Sequence, residues 1–315
     1  MTRHRQPLPQ TVGDRIFVAD GGLETELVFH DGLDLPCFAA FPLLDHPGGP
    51  ERLRRYYDGY LDIARQHDAG FVVETPTWRA SPDWARELGY SSARLDEVNR
   101  AAVALAEEVR ATAAADGVTA VVSGCVGPRG DGYDPAHAMT TEESQRYHSE
   151  QIATFAETAA DQVTAMTITN ADEAIGIVAA AGAASVPVAM SFTVETDGRL
   201  PTGQPLHEAI QQVDSETDTY AAYFMVNCAH PNHFSSALEH EGQWRQRLGG
   251  LRANSSVRSH AELDEATELD EGNPTELGAQ HAALRGRLPG VRVLGGCCGT
   301  DARHVAAIVS AWTAN

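Results

Sequence analysis

The chain has 315 residues, of which 43% are hydrophobic and 21% are charged, and its formal net charge is −21. This composition is ordinary for a globular protein, and the length suits one α/β barrel of about 250 residues with elaborated loops. The negative charge argues against sequence-independent binding to nucleic acid or to an anionic membrane, because both interactions need clustered positive charge.

Neither a membrane helix nor a secretion signal is predicted. No apolar run reaches the roughly 18 residues that a membrane helix needs, and the basic start of the chain lacks an apolar segment behind it. Five cysteines, an odd number, favour reduced thiols over a disulfide framework. We therefore expect a cytoplasmic protein whose thiols are available as ligands. The sequence gives no sign of a protein partner or of an oligomeric state.

Short apolar runs alternate with amphipathic stretches along the chain. Residues 1–14 are polar and are predicted to be a loose lead-in, and residues 15–315 are predicted to form a single domain. Strands are predicted at 16–20, 71–74, 119–124, 163–168, 186–194, 223–228, 248–254 and 291–294. Helices are predicted at 51–67, 96–115, 141–160, 172–181, from 206, from 231, at 276–288 and at 301–312. Eight strand-then-helix units favour a closed (β/α)₈ TIM barrel, an α/β fold, over an open sheet.

Two predicted strands end in an acidic residue. The first is followed by two glycines, in Asp20-Gly21-Gly22, and the second ends at Glu74. Because glycines let a ligand approach the backbone closely, the first arrangement is typical of a binding site, and a helix N-cap is the alternative. A further acidic stretch at 262–276 is predicted to be a solvated loop, with a lid over a site as the alternative.

Three cysteines stand where predicted strands end: Cys228 after the sixth, and Cys297 and Cys298 after the eighth. Adjacent cysteines seldom pair with each other, because a disulfide needs a Cα separation that neighbouring residues do not supply. Three thiolates can hold zinc tetrahedrally and leave the fourth position open, which is the pattern of a catalytic zinc site. The alternative is that all three are small buried packing residues.

The predicted barrel bears on this choice. The carboxyl ends of barrel strands gather on one face, where active sites of this fold lie. Residues far apart in sequence therefore converge on that face: Asp20, Glu74, Cys228, Cys297 and Cys298. This convergence favours a metal site over packing.

Asp20-Gly21-Gly22, Asn227-Cys228 and Gly295-Gly296-Cys297-Cys298, in this order along the chain, resemble the motifs of the homocysteine S-methyltransferase family. That family includes betaine-, S-methylmethionine- and folate-dependent enzymes. The resemblance covers nearly the full length and rests on 20–22, the turn at 124–128, 191–193, 227–228 and 295–298. It implies a zinc-binding barrel in which Cys228, Cys297 and Cys298 ligate Zn²⁺. It also implies that Asp20 helps to hold the amino acid part of a thiol substrate. The other candidate substrate-binding residues are Gly21, Gly22, Glu74 and Asn227.

The activity implied by the resemblance is methyl transfer from a sulfonium or quaternary ammonium donor to a thiol, with homocysteine as acceptor and methionine as product. Zinc strips the proton from a bound thiol, which then becomes a nucleophilic thiolate. Four sulfur anions around one zinc ion give a negative site, which favours a cationic methyl donor. On resemblance the donor is S-methylmethionine or S-adenosylmethionine. No catalytic residue is expected beyond the metal site.

One position departs from the family pattern. The family commonly has a Glu at the end of the fourth strand that recognises the homocysteine amino group, whereas Met166 stands there in this chain. A neutral thioether cannot pair with an ammonium group. Either another acid, such as Glu74 or Glu195, compensates, or the acceptor is another small thiol or selenol. A third hypothesis is a zinc-binding thiol sensor without turnover.

Five other residues have candidate roles. His230 and His233 could be further metal ligands, although their position at a helix start is more typical of capping or of support to a ligand. Cys125 is predicted to be a packing residue. Trp78 and Tyr133 could stack on a cationic donor through cation–π attraction, or could pack on their loops.

Overall fold

A closed parallel barrel forms the centre of the molecule. The structure, a computed structural model, describes residues 7–132 and 138–314. Within these ranges eight strands follow one another around the barrel in chain order. They are β1 (Phe17–Val18), β2 (Gly70–Glu74), β3 (Ala120–Val126), β4 (Gln162–Ile168), β5 (Val188–Phe192), β6 (Tyr223–Asn227), β7 (Leu248–Ala253) and β8 (Val293–Gly296). Because β1 pairs with both β2 and β8, the barrel is closed. The predicted (β/α)₈ fold is confirmed.

Helices surround the barrel. The longer ones are Gly49–Gln66, Ser92–Ala115, Thr141–Glu157, Ala171–Ala183, Leu206–Glu216, Pro274–Leu284 and Ala302–Thr313. The shorter ones include Leu23–Thr25, Pro82–Glu87, Pro231–Phe234, Trp244–Arg247 and His260–Asp264. In the described part of the chain, none of the helices has the length and apolar character needed to cross a bilayer.

The helix predicted to begin near residue 231 does begin at Pro231, but it is short. It covers only Pro231–Phe234 and is followed by a 3₁₀ turn, Ala237–Glu239. Its sequence is rich in weak helix formers such as Asn232, Ser235 and Ser236, which explains the early end. The loop that follows β6 is therefore held mainly by local turns.

Capping residues set the starts of several long helices. The side chains of Ser91 and Asn170 each accept a hydrogen bond from a backbone N–H in the first turn. Thr140 and Glu143 form a reciprocal capping box at the start of Thr141–Glu157. Each such cap contributes about 1 kcal/mol and fixes where the chain turns from loop to helix.

The main apolar core lies between the barrel and its helices. It includes strand residues such as Val73, Val122 and Leu294, and helix residues such as Leu61 and Ile308, all fully buried. Alternate strand residues point into the barrel, where a smaller apolar cluster fills the lumen, including Phe17, Val72, Val121, Met225 and Val293. The lumen is thus a packed core beneath the carboxyl ends of the strands.

A neutral polar network lies on the amino-terminal side of this lumen. Gln162, fully buried, donates to Thr164 Oγ1 at 3.1 Å and to Tyr223 Oη at 3.2 Å. Gln10, 3% exposed, donates to Gln162 Oε1 at 2.8 Å. The described part of the predicted lead-in, 7–14, therefore reaches into the barrel end. That residues 1–14 form a segment distinct from the domain stays a prediction.

Candidate metal centre and binding cavity

A cavity of about 420 Å³ opens at the carboxyl ends of the strands. All eight of the residues predicted for metal or substrate binding line it: Asp20, Gly21, Gly22, Glu74, Asn227, Cys228, Cys297 and Cys298. The strand register explains the convergence. Glu74 is the last residue of β2 and pairs with Ser123, and Asn227 is the last residue of β6 and pairs with Arg252.

The three cysteines form a tight sulfur cluster. Their Sγ atoms lie within 4.8 Å of one another. Cys228 Sγ is 2.8 Å from Cys297 Sγ and 3.7 Å from Cys298 Sγ, and none of the three cysteines forms a disulfide. A zinc–sulfur distance of about 2.3 Å implies sulfurs about 3.8 Å apart in a tetrahedral site. The wider pair already has this separation and the closer pair would have to open by about 1 Å, so the cluster fits zinc.

Backbone contacts between neighbouring strand ends place these sulfurs. Cys228 has a left-handed backbone (φ 55°) directly after β6, and its N–H donates to the Arg252 carbonyl at 3.2 Å. The N–H of Cys297 donates to the Ala253 carbonyl at 2.9 Å. A Cβ on Gly22 would lie 2.5 Å from the Cys297 carbonyl oxygen. Only glycine fits there, so the Asp20-Gly21-Gly22 segment packs directly on the cysteine turn.

Asn227 links the cluster to the end of β4. Its side-chain oxygen accepts hydrogen bonds from Thr167 N at 2.8 Å and from Ser191 Oγ at 2.6 Å. Its Nδ2 donates to Thr167 Oγ1 at 2.8 Å and lies 3.8 Å from Cys297 Sγ. Asn227 is fully buried. It therefore holds Thr167 in its left-handed conformation (φ 63°) and aims a donor at the Cys297 sulfur.

The electrostatic surroundings favour a thiolate at Cys297. Contacts from the Cys228 and Cys298 thiols hold the pKa of Cys297 well below its usual range, and Arg252 and Asn227 act in the same direction against burial. The same contacts raise the pKa of Cys228, so the cluster favours a first thiolate at Cys297, and metal ligation requires the other sulfurs to lose their protons as well.

Arg252 was not predicted from the sequence. It is 5% exposed, and its Nη2 lies 2.5 Å from Asp20 Oδ1. It also donates to the carbonyls of Gly296 at 3.0 Å and Gly21 at 3.2 Å. Tyr56 donates to the other Asp20 oxygen at 3.0 Å. Burial raises the pKa of Asp20, and Arg252 and Tyr56 oppose that shift. The negative charge of Asp20 is thus offset by Arg252 within the protein.

Two other acids lack such a partner. Glu74 is 5% exposed, and its Oε2 is buried and accepts no hydrogen bond in the described structure. Burial raises the pKa of Glu74 to about 7, against the pull of Arg252. Glu24, which the sequence did not indicate, lines the same cavity, and burial raises its pKa to about 7 as well. The only available signal was its place two residues after Gly22.

Met166 faces the cavity, as the departure from the family pattern predicted. Its side chain is buried and lines the cavity wall, and its carbonyl accepts a hydrogen bond from Trp78 Nε1 at 3.3 Å. Of the two acids considered as substitutes, Glu74 lines the cavity. Glu195 instead pairs with His260 at 3.2 Å and is not among the lining residues.

The minor candidates have other contacts. His230 Nδ1 accepts a hydrogen bond from Asn232 N and so caps the short helix, and burial lowers its pKa to about 4. His233 Nε2 lies 2.9 Å from the Val257 carbonyl. Among the described residues, the cysteine cluster includes neither histidine.

The remaining candidates lie on or beside the cavity wall. Cys125 is buried and lines the cavity. Trp78 also lines it, and the Arg79 guanidinium carbon lies 4.9 Å from its ring centroid. Part of the Trp78 ring therefore already contacts a cation. Tyr133 lies outside the described residues.

The acidic stretch at 262–276 is more than a solvated loop, and that expectation is wrong in part. Many of its residues are exposed, but five of them line the cavity: Leu263, Ala266, Glu268, Leu269 and Asp270. Leu263, Ala266 and Leu269 lie between the acidic residues and face the cavity. The segment therefore has an apolar side toward the cavity and several exposed acidic residues. Asp270 fixes it to the loop after β7, because its carbonyl accepts from Ser255 Oγ and its carboxylate from Ser256 Oγ, both at 2.7 Å.

Comparison with known proteins identifies similar chains. The profile of the homocysteine S-methyltransferase family matches residues 17–312. Homocysteine S-methyltransferase 4 of Zea mays is 26% identical and the match covers 93% of this chain and 88% of that protein. Betaine–homocysteine S-methyltransferase 1 of Rattus norvegicus is 25% identical, with 93% and 71% covered. The metallated homocysteine methyltransferase MmuM of Escherichia coli has the same fold, with a TM-score of 0.71, 20% identity, and 95% and 96% covered.

Proposed function

The chain belongs to the homocysteine S-methyltransferase family, and from this premise we propose that it methylates homocysteine to methionine with a cationic methyl donor. The observation that carries the proposal is the cluster of three cysteine sulfurs within 4.8 Å of one another in the wall of a cavity lined by acids. Thiols in this arrangement suit a soft metal with one open position, and the cavity offers room for two small substrates.

We propose that Cys228, Cys297 and Cys298 hold zinc. When bound, zinc would lower the pKa of the acceptor thiol so that a thiolate is available at neutral pH. Asn227 supports this site by directing its Nδ2 toward the Cys297 sulfur, 3.8 Å away. Arg252 places a buried positive charge near the same sulfur and offsets part of its negative charge.

The amino acid part of the acceptor lies, in this proposal, along Asp20, Gly21 and Gly22. The two glycines let this segment pack closely on the rest of the site, since a Cβ on Gly21 would lie 2.7 Å from the Thr300 carbonyl oxygen. Glu74 and Asn227 line the same cavity. Asp20 contributes chiefly by orienting this segment, because its charge is already balanced by Arg252.

In the transfer itself, a bond forms between the acceptor sulfur and the methyl carbon while the bond from that carbon to the donor breaks. The electron pair of the broken bond leaves with the donor, which departs as a neutral sulfide or amine. We propose S-methylmethionine or S-adenosylmethionine as donor. The acidic residues at the cavity mouth, including Glu268 and Asp270, support a cationic donor. Holding both reactants in line supplies much of the rate.

One observation favours a second acceptor class. Met166 places a neutral, buried thioether where a carboxylate would contact the amino group. Another small thiol or selenol is therefore the alternative acceptor, and a zinc-binding thiol sensor is the alternative without turnover. A cytoplasmic location stays a prediction.

The proposed function is tested by incubating zinc-loaded protein with homocysteine and each donor in turn, and by measuring methionine with mass spectrometry. We expect methionine with at least one sulfonium donor and its loss after chelation of the metal. Methylation of other thiols with homocysteine left unmodified would support the second acceptor class. Tight zinc binding without turnover on any donor would contradict the proposed activity and support the sensor.

A further inference from the structure

Six acidic side chains line the cavity within the described ranges: Asp20, Glu24, Glu74, Asp131, Glu268 and Asp270. Two of them lie at the mouth on the acidic segment. Glu268 is exposed there, and Asp270 accepts a hydrogen bond from Ser256. These two acids are satisfied by solvent or by neighbouring groups.

Two more have cationic partners. Asp20 pairs with Arg252 at 2.5 Å, deep in the cavity. Asp131 lies 3.7 Å from Arg79 at the rim. Their charges are therefore offset within the protein, and neither needs a ligand.

Glu24 and Glu74 differ from the other four. Neither lies within 4 Å of a cationic nitrogen in the described part of the chain. Glu74 Oε2 is buried and accepts no hydrogen bond there. An unpaired buried carboxylate is unfavourable, and a cation from a ligand relieves that cost.

The chemistry of the missing partner follows from the unused oxygen. A sulfonium or quaternary ammonium has no N–H group and cannot satisfy a hydrogen-bond acceptor. A primary ammonium has three N–H donors and can bond to carboxylates directly. The Glu74 oxygen therefore suits the α-ammonium group of an amino acid rather than a sulfonium centre. The proposed donors also carry an α-ammonium group, so the choice between acceptor and donor rests on where the two carboxylates lie relative to the cysteines.

The position of Glu24 relates this group to the metal centre. The neighbouring Thr25 accepts a hydrogen bond from Gly299 N at 3.1 Å, directly after Cys298. Two residues before Glu24, the Gly22 backbone packs on the Cys297 carbonyl. Glu24 thus projects from a segment that is fixed on both sides to the cysteine turn.

We infer that Glu24 and Glu74 together bind the α-ammonium group of an amino acid thiol, in place of the acid that Met166 lacks. This inference rests on the proposed function, because it places the thiol of the same ligand at the three cysteines. In the family pattern a carboxylate at the end of β4 recognises the amino group. In this chain the carboxylates that do so lie on the segment after β1 and at the end of β2. Met166 then packs beside the ligand without pairing to it.

The test compares two thiols on zinc-loaded protein by calorimetric titration: homocysteine, and 4-mercaptobutanoate, which is homocysteine without its amino group. A charge-assisted hydrogen bond is worth about a 10- to 100-fold change in affinity, so wild type should prefer homocysteine by that factor. Glu24→Gln and Glu74→Gln should each weaken homocysteine binding about tenfold or more and leave 4-mercaptobutanoate within about twofold.

A matched control variant and a variant that restores the family's glutamate make the test more specific. Glu265→Gln removes the same charge from an exposed position that does not line the cavity, and should leave the preference unchanged. Met166→Glu added to Glu24→Gln should restore the preference for homocysteine. Because this readout is a ratio of two affinities, a general loss of folding or of zinc cannot imitate it.

Three outcomes would overturn the inference alone. The first is a homocysteine preference kept in both glutamate variants, and the second is an equal loss of affinity for both thiols in zinc-replete variants. The third is a change confined to the KM of the donor, which would assign the carboxylates to the other substrate. If neither thiol binds to zinc-loaded wild type, the proposed function fails and the inference fails with it.

Discussion

The two ends of the barrel lumen hold buried polar groups in opposite ways. On the amino-terminal side, Gln162 is a neutral hub with hydrogen bonds to Gln10, Thr164 and Tyr223. On the carboxyl side, thiols and carboxylates crowd together, and Glu74 keeps an oxygen without a partner. A buried carboxylate oxygen without a partner in the wall of a cavity is a candidate contact for a ligand, whereas the neutral network does not line that cavity. In our proposal, the amino-terminal end of the lumen stabilises the fold and the carboxyl end carries out methyl transfer.

The largest expected effect is at the carboxyl end. Cys297→Ser removes a central sulfur of the cluster, which lies 2.8 Å from Cys228 Sγ. Loss of a group that only supports a metal ligand lowers metal affinity about 10- to 100-fold. Loss of a ligand itself should therefore lower zinc affinity by more than about 100-fold. Zinc content and methyl transfer, measured on the same preparation, should fall together. Full activity in metal-free Cys297→Ser would contradict the metal assignment.

Asp20→Asn tests the buried Asp20–Arg252 ion pair at this end. It leaves the Arg252 guanidinium buried opposite a neutral amide, and breaking such a pair costs about 3 kcal/mol or more. We therefore expect a lower free energy of unfolding in urea and a raised acceptor KM, with zinc content unchanged. Loss of zinc in this variant would mean that Asp20 serves the metal site rather than the substrate.

Gln162→Ala makes the matching change at the amino-terminal end. The variant leaves Gln10 and Tyr223 without a shared partner, so the free energy of unfolding should fall by about 2 kcal/mol. Zinc affinity should stay within about twofold of wild type, because the network makes no contact with the sulfurs. A large loss of zinc affinity in this variant would contradict the functional division between the two ends.

The smallest expected effect lies outside the barrel, at His281. This residue is fully buried, its Nδ1 lies 2.8 Å from the Leu277 carbonyl, and burial lowers its pKa to about 4. Its pKa in the unfolded chain is about 6.5, so the unfolded state takes up the proton first as the pH falls. The contribution of His281 to stability is complete above pH 6.5 and is lost between pH 6.5 and 4.

This loss amounts to about 1 kcal/mol between pH 7 and 5.5. His281→Leu should therefore reduce the difference between urea unfolding free energies at these two pH values by about that amount. An unchanged difference would show that His281 is protonated in the folded protein or that other groups dominate.

The fold could be predicted because its signal is local and repeated. Each apolar run followed by an amphipathic stretch predicts a strand and a helix, and eight such units leave few topologies. Even β7, with Gly249 and Gly250 inside it, forms as predicted. A helix begins at Pro231 as predicted, but a start signal says nothing about how far a helix continues, and this one ends at Phe234.

The candidate site could be predicted only in part. The cysteines were found because strand ends converge in any barrel, and Cys follows β6 and β8. Arg252 and Glu24 were missed because their importance depends on which way a side chain points and on what it meets across the lumen. Contacts between β7 and the segment after β1 join residues more than 200 positions apart, and no local pattern encodes them.

The measurement that tests the central claim most directly is a calorimetric titration of wild type with homocysteine, with zinc bound and after its removal by chelation. The account predicts binding to the zinc-loaded protein with release of a proton, detected as a dependence of the heat on buffer ionisation, and much weaker binding without metal. Equal binding in both states, or no binding to folded, zinc-replete protein, would contradict it.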